Sequence, residues 1–136
     1  SYNRMEWMEP VWRMMWSNKG LLAILWEMYP GHPNLLETYF ELPGRLFEYV
    51  KKPLLSREGA NILVKTAGRT EQTGGDYGFE GYVFQEYYNL PDFDGHLPVI
   101  GSWIVDGQAA GIGIRETNGS LVTDNRSSFV PHRFSN

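Results

Sequence analysis

The chain contains no cysteine. Disulfides, thiolate metal sites and cysteine nucleophiles are therefore excluded, and the absence is in keeping with a cytoplasmic protein. No apolar run approaches the ~20 residues of a membrane-spanning helix. No basic segment precedes an apolar one in the manner of a secretory leader. Histidine is scarce: His32, His96 and His132 lie far apart, none with a carboxylate or second histidine at metal-ligand spacing. Ser56 and Ser102 have no His/Asp arrangement around them, which argues against a serine nucleophile. Positive charge is not in excess either. The net charge is −4, whereas a general nucleic-acid binder needs a basic face.

What is present suffices for one domain. The 136 residues are 42% hydrophobic and 15% aromatic, enough to bury a core. The opening residues are unusual, with Met5, Trp7, Met8, Trp12, Met14, Met15 and Trp16 close together and no initiator methionine. So much apolar surface is costly to leave in water. The chain is expected to be a piece of a larger protein whose opening packs on a missing N-terminal region or self-associates.

Ser17 is placed to cap a helix whose apolar residues Leu21, Ile24, Leu25 and Met28 recur at helical spacing. Tyr29-Pro-Gly-His-Pro33 stops it. A second short helix is expected over 34–40, with Leu35, Leu36 and Tyr39 inward. Residues 49–52 and 61–66 read as strands flanking a polar turn, Ser56 to Gly59. The glycine-rich stretch 67–80 reads as mobile, and 81–87 as a buried strand. Asp106-Gly107 between two β runs marks a two-residue hairpin. Its register predicts Val105 opposite Gln108, Trp103 opposite Ala110 and Gly101 opposite Ile112. Arg115 then shares a small-residue face with Gly111 and Gly113, away from Trp103.

Chemistry concentrates in Tyr49-Val-Lys-Lys-Pro-Leu-Leu-Ser-Arg-Glu-Gly-Ala-Asn-Ile-Leu63. A strand lysine, Lys52, beside a turn with exposed amides and Arg57 suits nucleotide phosphates. An ordinary hairpin with a solvated turn is the plainer alternative. Lys19 sits at a helix start, where by itself a solvated lysine is the simpler reading. Gln85-Glu86-Tyr87-Tyr88 ends a strand that could present a backbone edge to a base while a tyrosine packs on the ring; an edge strand with aromatic packing is the alternative. Arg115 ends a strand beside Glu116, where a surface ion pair is the simpler reading.

The order of the segments adds a further indication. Glu9-Pro-Val-Trp12, Ser17-Asn-Lys-Gly-Leu-Leu22, Pro30-Gly-His-Pro-Asn-Leu-Leu36, the Lys51-Lys-Pro53 turn segment, Tyr82-Val-Phe-Gln85, Pro98-Val-Ile-Gly-Ser-Trp-Ile-Val105, Gly111-Ile-Gly-Ile-Arg115 and Phe129-Val-Pro-His132 follow one another. Together they resemble the glutathionylspermidine synthase family, nearest its bacterial acid–amine ligase branch, over nearly the whole chain. The resemblance implies an ATP-grasp fold, with residues 1–136 as a C-terminal portion lacking the metal-binding part. It implies an ATP- and Mg²⁺-dependent ligase joining a peptide-like carboxylate to an amine through an acyl phosphate. Lys19 and Lys52 match phosphate-binding lysines. Arg57, Glu58 and Gly59 match a loop closing over the phosphates. Gln85, Glu86, Tyr87 and Tyr88 match the adenine edge. Arg115, and Arg57 with it, is expected near the reacting oxygens, where fixed cations stabilise developing charge. Ser56 and Glu58 stand where some synthases have glycine and cysteine, and the metal ligands are expected outside the chain.

The expectation is thus an α+β piece of an ATP-grasp fold, an antiparallel sheet with helices packed on one side. It belongs to a C–N ligase, alone inactive, with no nucleic-acid or membrane partner. A non-catalytic nucleotide-binding or interaction module derived from a ligase is the alternative, and a structural adaptor a third.

Overall fold

The structure, a computed structural model, describes residues 10–133. The apolar cluster at Met5, Trp7 and Met8 lies outside the described residues. Val11–Ser17 forms a 3-10 helix with no buried residue. Helix α1 follows at Gly20–Met28. Ser17 does not cap it: its hydroxyl donates to the Met14 carbonyl at 2.9 Å. Asn18 takes that place, its Oδ1 accepting the Gly20 amide at 2.8 Å. The helix buries Gly20 and Ala23, while Ile24 and Met28, two of its four periodic apolar residues, are exposed. Its main side-chain tie runs from the Trp26 indole N–H to the Tyr39 hydroxyl, 3.0 Å.

The strands are antiparallel throughout but form two sheets rather than the single sheet expected. The first has the order β1 (Thr38–Tyr39), β5 (Tyr82–Glu86), β2 (Tyr49–Pro53), β3 (Leu63–Lys65), β4 (Thr70–Gln72). The second has the order β6 (His96–Val105), β7 (Gln108–Asn118), β8 (Ser128–Val130). The helix predicted over 34–40 is absent. Thr38 and Tyr39 instead pair with Gln85 and Phe84, supplying β5 with a neighbour on its far side. Local helical spacing there yields to a long-range ladder. The stretch predicted to be mobile contains β4, held by pairing of Thr70 with Lys65 and Gln72 with Leu63.

The hairpin turn is as its sequence demands: Asp106 and Gly107 have φ of 49° and 73°, and Val105 faces Gln108. Both positive angles belong to a type I′ turn. Beyond it the predicted register fails. Ile104 opposes Ala109 but Trp103 opposes Gly111, so Ala110 is an extra residue on β7. A bulge of one residue turns every later side chain to the other face. Arg115 therefore faces with its partner Val99, and with Trp103 and Gly113, instead of opposite Trp103. Ile100, Ile112 and Ile114 share the remaining face.

The first sheet's core is small: Ile62, Val64 and Val122, with Val50, Tyr87 and Leu121 packed on it. Much apolar surface stays outside. Met14 and Trp16 of the 3-10 helix are 70% and 71% exposed, and Trp103 and Phe129 of the second sheet are 67% and 78% exposed. Each such side chain gains roughly 1.5–3 kcal/mol on burial. The isolated chain is expected to self-associate, with light scattering giving a mass above the 15.6 kDa monomer. A monodisperse monomer would show that this surface needs no cover.

Candidate functional site

Strand alternation separates two adjacent lysines. Along β2, Val50 and Lys52 point to one face, Tyr49 and Lys51 to the other. Lys51 lies over the Tyr82 ring at 3.9 Å. Lys52 turns inward, beside its strand partner Val83 and diagonal to Gln85, and its ammonium donates to Gln85 Oε1. Lys19 reaches the same place from the start of α1. Its amide donates to the Leu54 carbonyl at 2.9 Å, and its ammonium donates to the Ser56 carbonyl. Both lysines thus hold neutral oxygens, and neither takes part in an ion pair among the described residues. The electrostatic consequence is clear at Lys52. Burial first, and the nearby charge of Lys19 second, lower its pKa from 10.5 to about 8. Burial also lowers that of Lys19.

The lysines line a cavity of about 320 Å³, at the lower end of the roughly 300–1,000 Å³ of small-ligand sites. Gly59, Gln85, Glu86, Tyr87 and Tyr88 line it as well. Residues spread over the sequence from 19 to 88 are thus gathered at one opening. Arg57, Glu58 and Arg115 are not on its wall. Arg57 and Arg115 are exposed, and Glu58 turns aside, its Oε2 accepting from Asn125 Nδ2 at 3.3 Å. Arg115 still shares its sheet face with Val99, which does line the cavity. Other wall residues were invisible in the sequence. Leu97 and Val99 arrive from the second sheet, and Val122 and Thr123 from the segment after β7. Nothing local marks them, because only tertiary packing brings them there.

Two details revise the sequence picture. The Glu86 and Tyr87 amides are already engaged, donating to the carbonyls of Glu37 at 2.7 Å and Glu48 at 3.2 Å. They are not available to read a base. The turn before Ile62 is also anchored more firmly than a free loop. The Ala60 amide donates to the Arg57 carbonyl at 2.9 Å, and the Asn61 amide to the Gly74 carbonyl at 3.0 Å. The Thr73 hydroxyl donates to the Gly59 carbonyl. Among the described residues, no group of three or more His, Asp or Glu side chains could hold a metal ion. No helix among them is long and apolar enough to cross a membrane.

The model of the glutathionylspermidine synthase preATP-grasp family matches residues 1–135. The chain belongs to that family. It is 49% identical over 139 residues to a Haemophilus influenzae protein named as a candidate acid–amine ligase, covering 95% of this chain and 35% of that protein. It is 35% identical over 130 residues to trypanothione synthetase of Crithidia fasciculata, covering 92% of this chain and 20% of that protein. It is 32% identical over 127 residues to the bifunctional glutathionylspermidine synthetase/amidase of Escherichia coli, covering 90% of this chain and 20% of that protein. The chain therefore spans about a third of the first relative's length and a fifth of the others'.

Two variants test the site's construction. Gly59 has φ of 73°, and a Cβ there would lie 2.9 Å from Val122 Cγ1 and 3.0 Å from the Thr123 carbonyl. Gly59→Ala is expected to destabilise the fold by at least ~1 kcal/mol, read as a lower denaturant midpoint. An unchanged midpoint would show that the turn can relax.

The second variant concerns Lys52. Below pH 8 its proton is held in both folded and unfolded chains, and the full destabilisation of a buried charge is present. Between about 8 and 10.5 the folded chain loses the proton first, so that destabilisation is relieved as pH rises. Lys52→Met is expected to be more stable than the parent at pH 7, by up to roughly 3 kcal/mol. The gap should close as pH rises through that window. Equal stability at pH 7 would mean that the charge is compensated.

Proposed function

We propose that this chain forms the nucleotide-holding part of an ATP-dependent carboxylate–amine ligase with an ATP-grasp fold. The observation that carries the reading is the pair of ammonium groups, Lys19 and Lys52, at one cavity with only neutral oxygens as partners. A site that keeps two uncompensated positive charges is complementary to a polyanion. A triphosphate fits this donor set. Lys19 and Lys52 would hold phosphate oxygens beside the Gly59 turn. Tyr87, Tyr88 and the apolar wall of Val50, Val64 and Leu97 would receive the base. With the Glu86 and Tyr87 amides engaged, the Tyr88 amide is the donor proposed for the base edge.

Bound ATP supplies the phosphoryl group that activates a carboxylate toward an amine. The chain's own part is to position the phosphates and neutralise their charge. Arg115 and Arg57, exposed and beyond the cavity wall, are proposed to meet the reacting oxygens at its mouth. Family membership supports the ligase class, while the peptide-like acid and the amine are proposals for the whole protein. The described residues offer no ligand set for Mg²⁺, so the ion's protein ligands are proposed to lie outside them. The isolated chain is accordingly proposed to be inactive.

In the full-length protein, Lys52→Ala is expected to weaken ATP binding or lower turnover at least tenfold, about 1.4 kcal/mol. Parent affinity for ATP should also fall as pH rises past about 8, because the ammonium form of Lys52 is the one that attracts phosphate. Calorimetric titration against pH and assay of ADP release are the measurements. ATP binding without ADP release, given Mg²⁺ and a panel of acids and amines, would favour a non-catalytic nucleotide-binding module. Absence of ATP binding would overturn the reading.

A further inference from the structure

A buried file of hydrogen bonds crosses the first sheet. The Lys52 ammonium donates to Gln85 Oε1. Gln85 Nε2 donates to the Thr38 hydroxyl at 3.0 Å. The Thr38 hydroxyl donates to the Leu36 carbonyl at 3.0 Å. Thr38 is 1% exposed and Gln85 8%. The two are direct cross-strand partners on β1 and β5, and Gln85 is paired in turn with Val50 on β2.

The direction of each bond is dictated by chemistry. A backbone carbonyl can only accept, so the single hydroxyl proton of Thr38 is committed to Leu36. What Thr38 then offers Gln85 is a lone pair. That lone pair selects the NH₂ end of the carboxamide and leaves the oxygen end facing Lys52. Rotated by half a turn, the carboxamide would set its NH₂ against an ammonium, two donors facing in a buried place, and its oxygen against a lone pair.

We propose that Thr38 is a positioning residue for nucleotide binding: its hydroxyl holds the Gln85 carboxamide in the one orientation that presents an acceptor to Lys52. The proposal rests on the reading of the cavity as an ATP site. Gln85 carries no charge, so it orients the Lys52 ammonium without neutralising it, and the full positive charge stays available to phosphate. A carboxylate at position 85 would orient the lysine equally well but would compete with the ligand. The titratable and charged groups on the same cavity wall are Lys19, Glu86, Tyr87 and Tyr88. Of these only Lys19 is a coulombic cause of the shift at Lys52.

The test is ATP affinity of the full-length protein by calorimetry, in a double-mutant cycle. Thr38→Val keeps the shape and removes both the proton and the lone pair. It is expected to weaken ATP binding about tenfold and to move the alkaline fall in affinity to lower pH. Thr38→Ser is expected to bind within twofold of the parent. Gln85→Leu should weaken binding to a similar degree, and adding Thr38→Val to Gln85→Leu should change affinity by less than twofold. Should Thr38→Val fail to fold, Thr38→Cys, whose sulfur accepts poorly, replaces it with an expected loss of threefold or more. Parent affinity in the valine or cysteine variant overturns the proposal. So does an equal further loss in the Gln85→Leu background, which would show that Thr38 acts generally on the fold. A parent protein that binds no ATP overturns the reading of the cavity instead, and is distinguishable because no variant is then needed.

Discussion

The antiparallel pairing of β2 with β5 is the constraint on which the rest depends. It occupies the middle of the first sheet and sets Lys52 opposite Val83 and Val50 opposite Gln85. One alternation along two strands then decides which side chains meet. Lys52 and Gln85 come together on the cavity face. Lys51, Tyr82 and Phe84 come together on the other, with Lys51 over both rings at 3.9 and 5.9 Å. A slip of β2 by one residue would turn Lys52 away from the cavity and set Lys51 beside the Gln85 carboxamide in its place. The buried Thr38, on the far side of β5, adds a third strand to the same arrangement.

That arrangement sets stability against surplus positive charge. A buried ammonium without a carboxylate is unfavourable, and Lys52 registers it as a pKa lowered to about 8 by burial and by Lys19. A carboxylate neighbour would relieve the penalty and abolish the attraction for an anion. The fold instead satisfies the geometry of the lysine with neutral acceptors, the Gln85 carboxamide for Lys52 and the Ser56 carbonyl for Lys19. Each ammonium is given a direction by one neutral acceptor while its charge is left over. The surplus charge is what a polyanionic ligand would neutralise, so binding and folding stability rise together when it is present.

Local signals in the sequence carry through to the fold, and they give way where tertiary pairing decides. The Asp106-Gly107 turn was legible because positive φ at two successive positions demands such residues. Strands β2, β3 and β5 followed from β-type runs between turn residues. The bulge at Ala110 left no mark, since an extra small residue among Ala109, Gly111 and Gly113 resembles any other residue of that run, and with it the face of Arg115 was misassigned. At Thr38 and Tyr39 the helical spacing of Leu35, Leu36 and Tyr39 predicts helix, whereas β5 recruits the two residues as an edge strand. For the candidate site, the charged and aromatic members carried a chemical signature, and the ordered segments that resemble the family carried more. The apolar wall from Leu97, Val99 and Val122 carried none, because hydrophobic residues look alike until the fold is known.

The wall opposite the lysines shows how the two sheets are joined. Glu71, at the sheet's last strand, accepts from the Ser120 hydroxyl at 2.6 Å and the Leu121 amide at 3.0 Å. Its neighbour Arg69 bonds Glu71 at 2.6 Å and donates to the Gly119 carbonyl at 2.8 Å. This clamp ties the segment after β7 back to β4 across some fifty residues of sequence. The next residues, Val122 and Thr123, come so close to Gly59 that a Cβ there would lie 2.9 Å from Val122 Cγ1 and 3.0 Å from the Thr123 carbonyl. The Gly59 turn is therefore held from two directions, by Thr73 through its carbonyl and by the clamped segment through close approach. An apolar interface of similar area would hold the sheets with less demand on angle. Charge-assisted hydrogen bonds of this kind fix direction as well as distance.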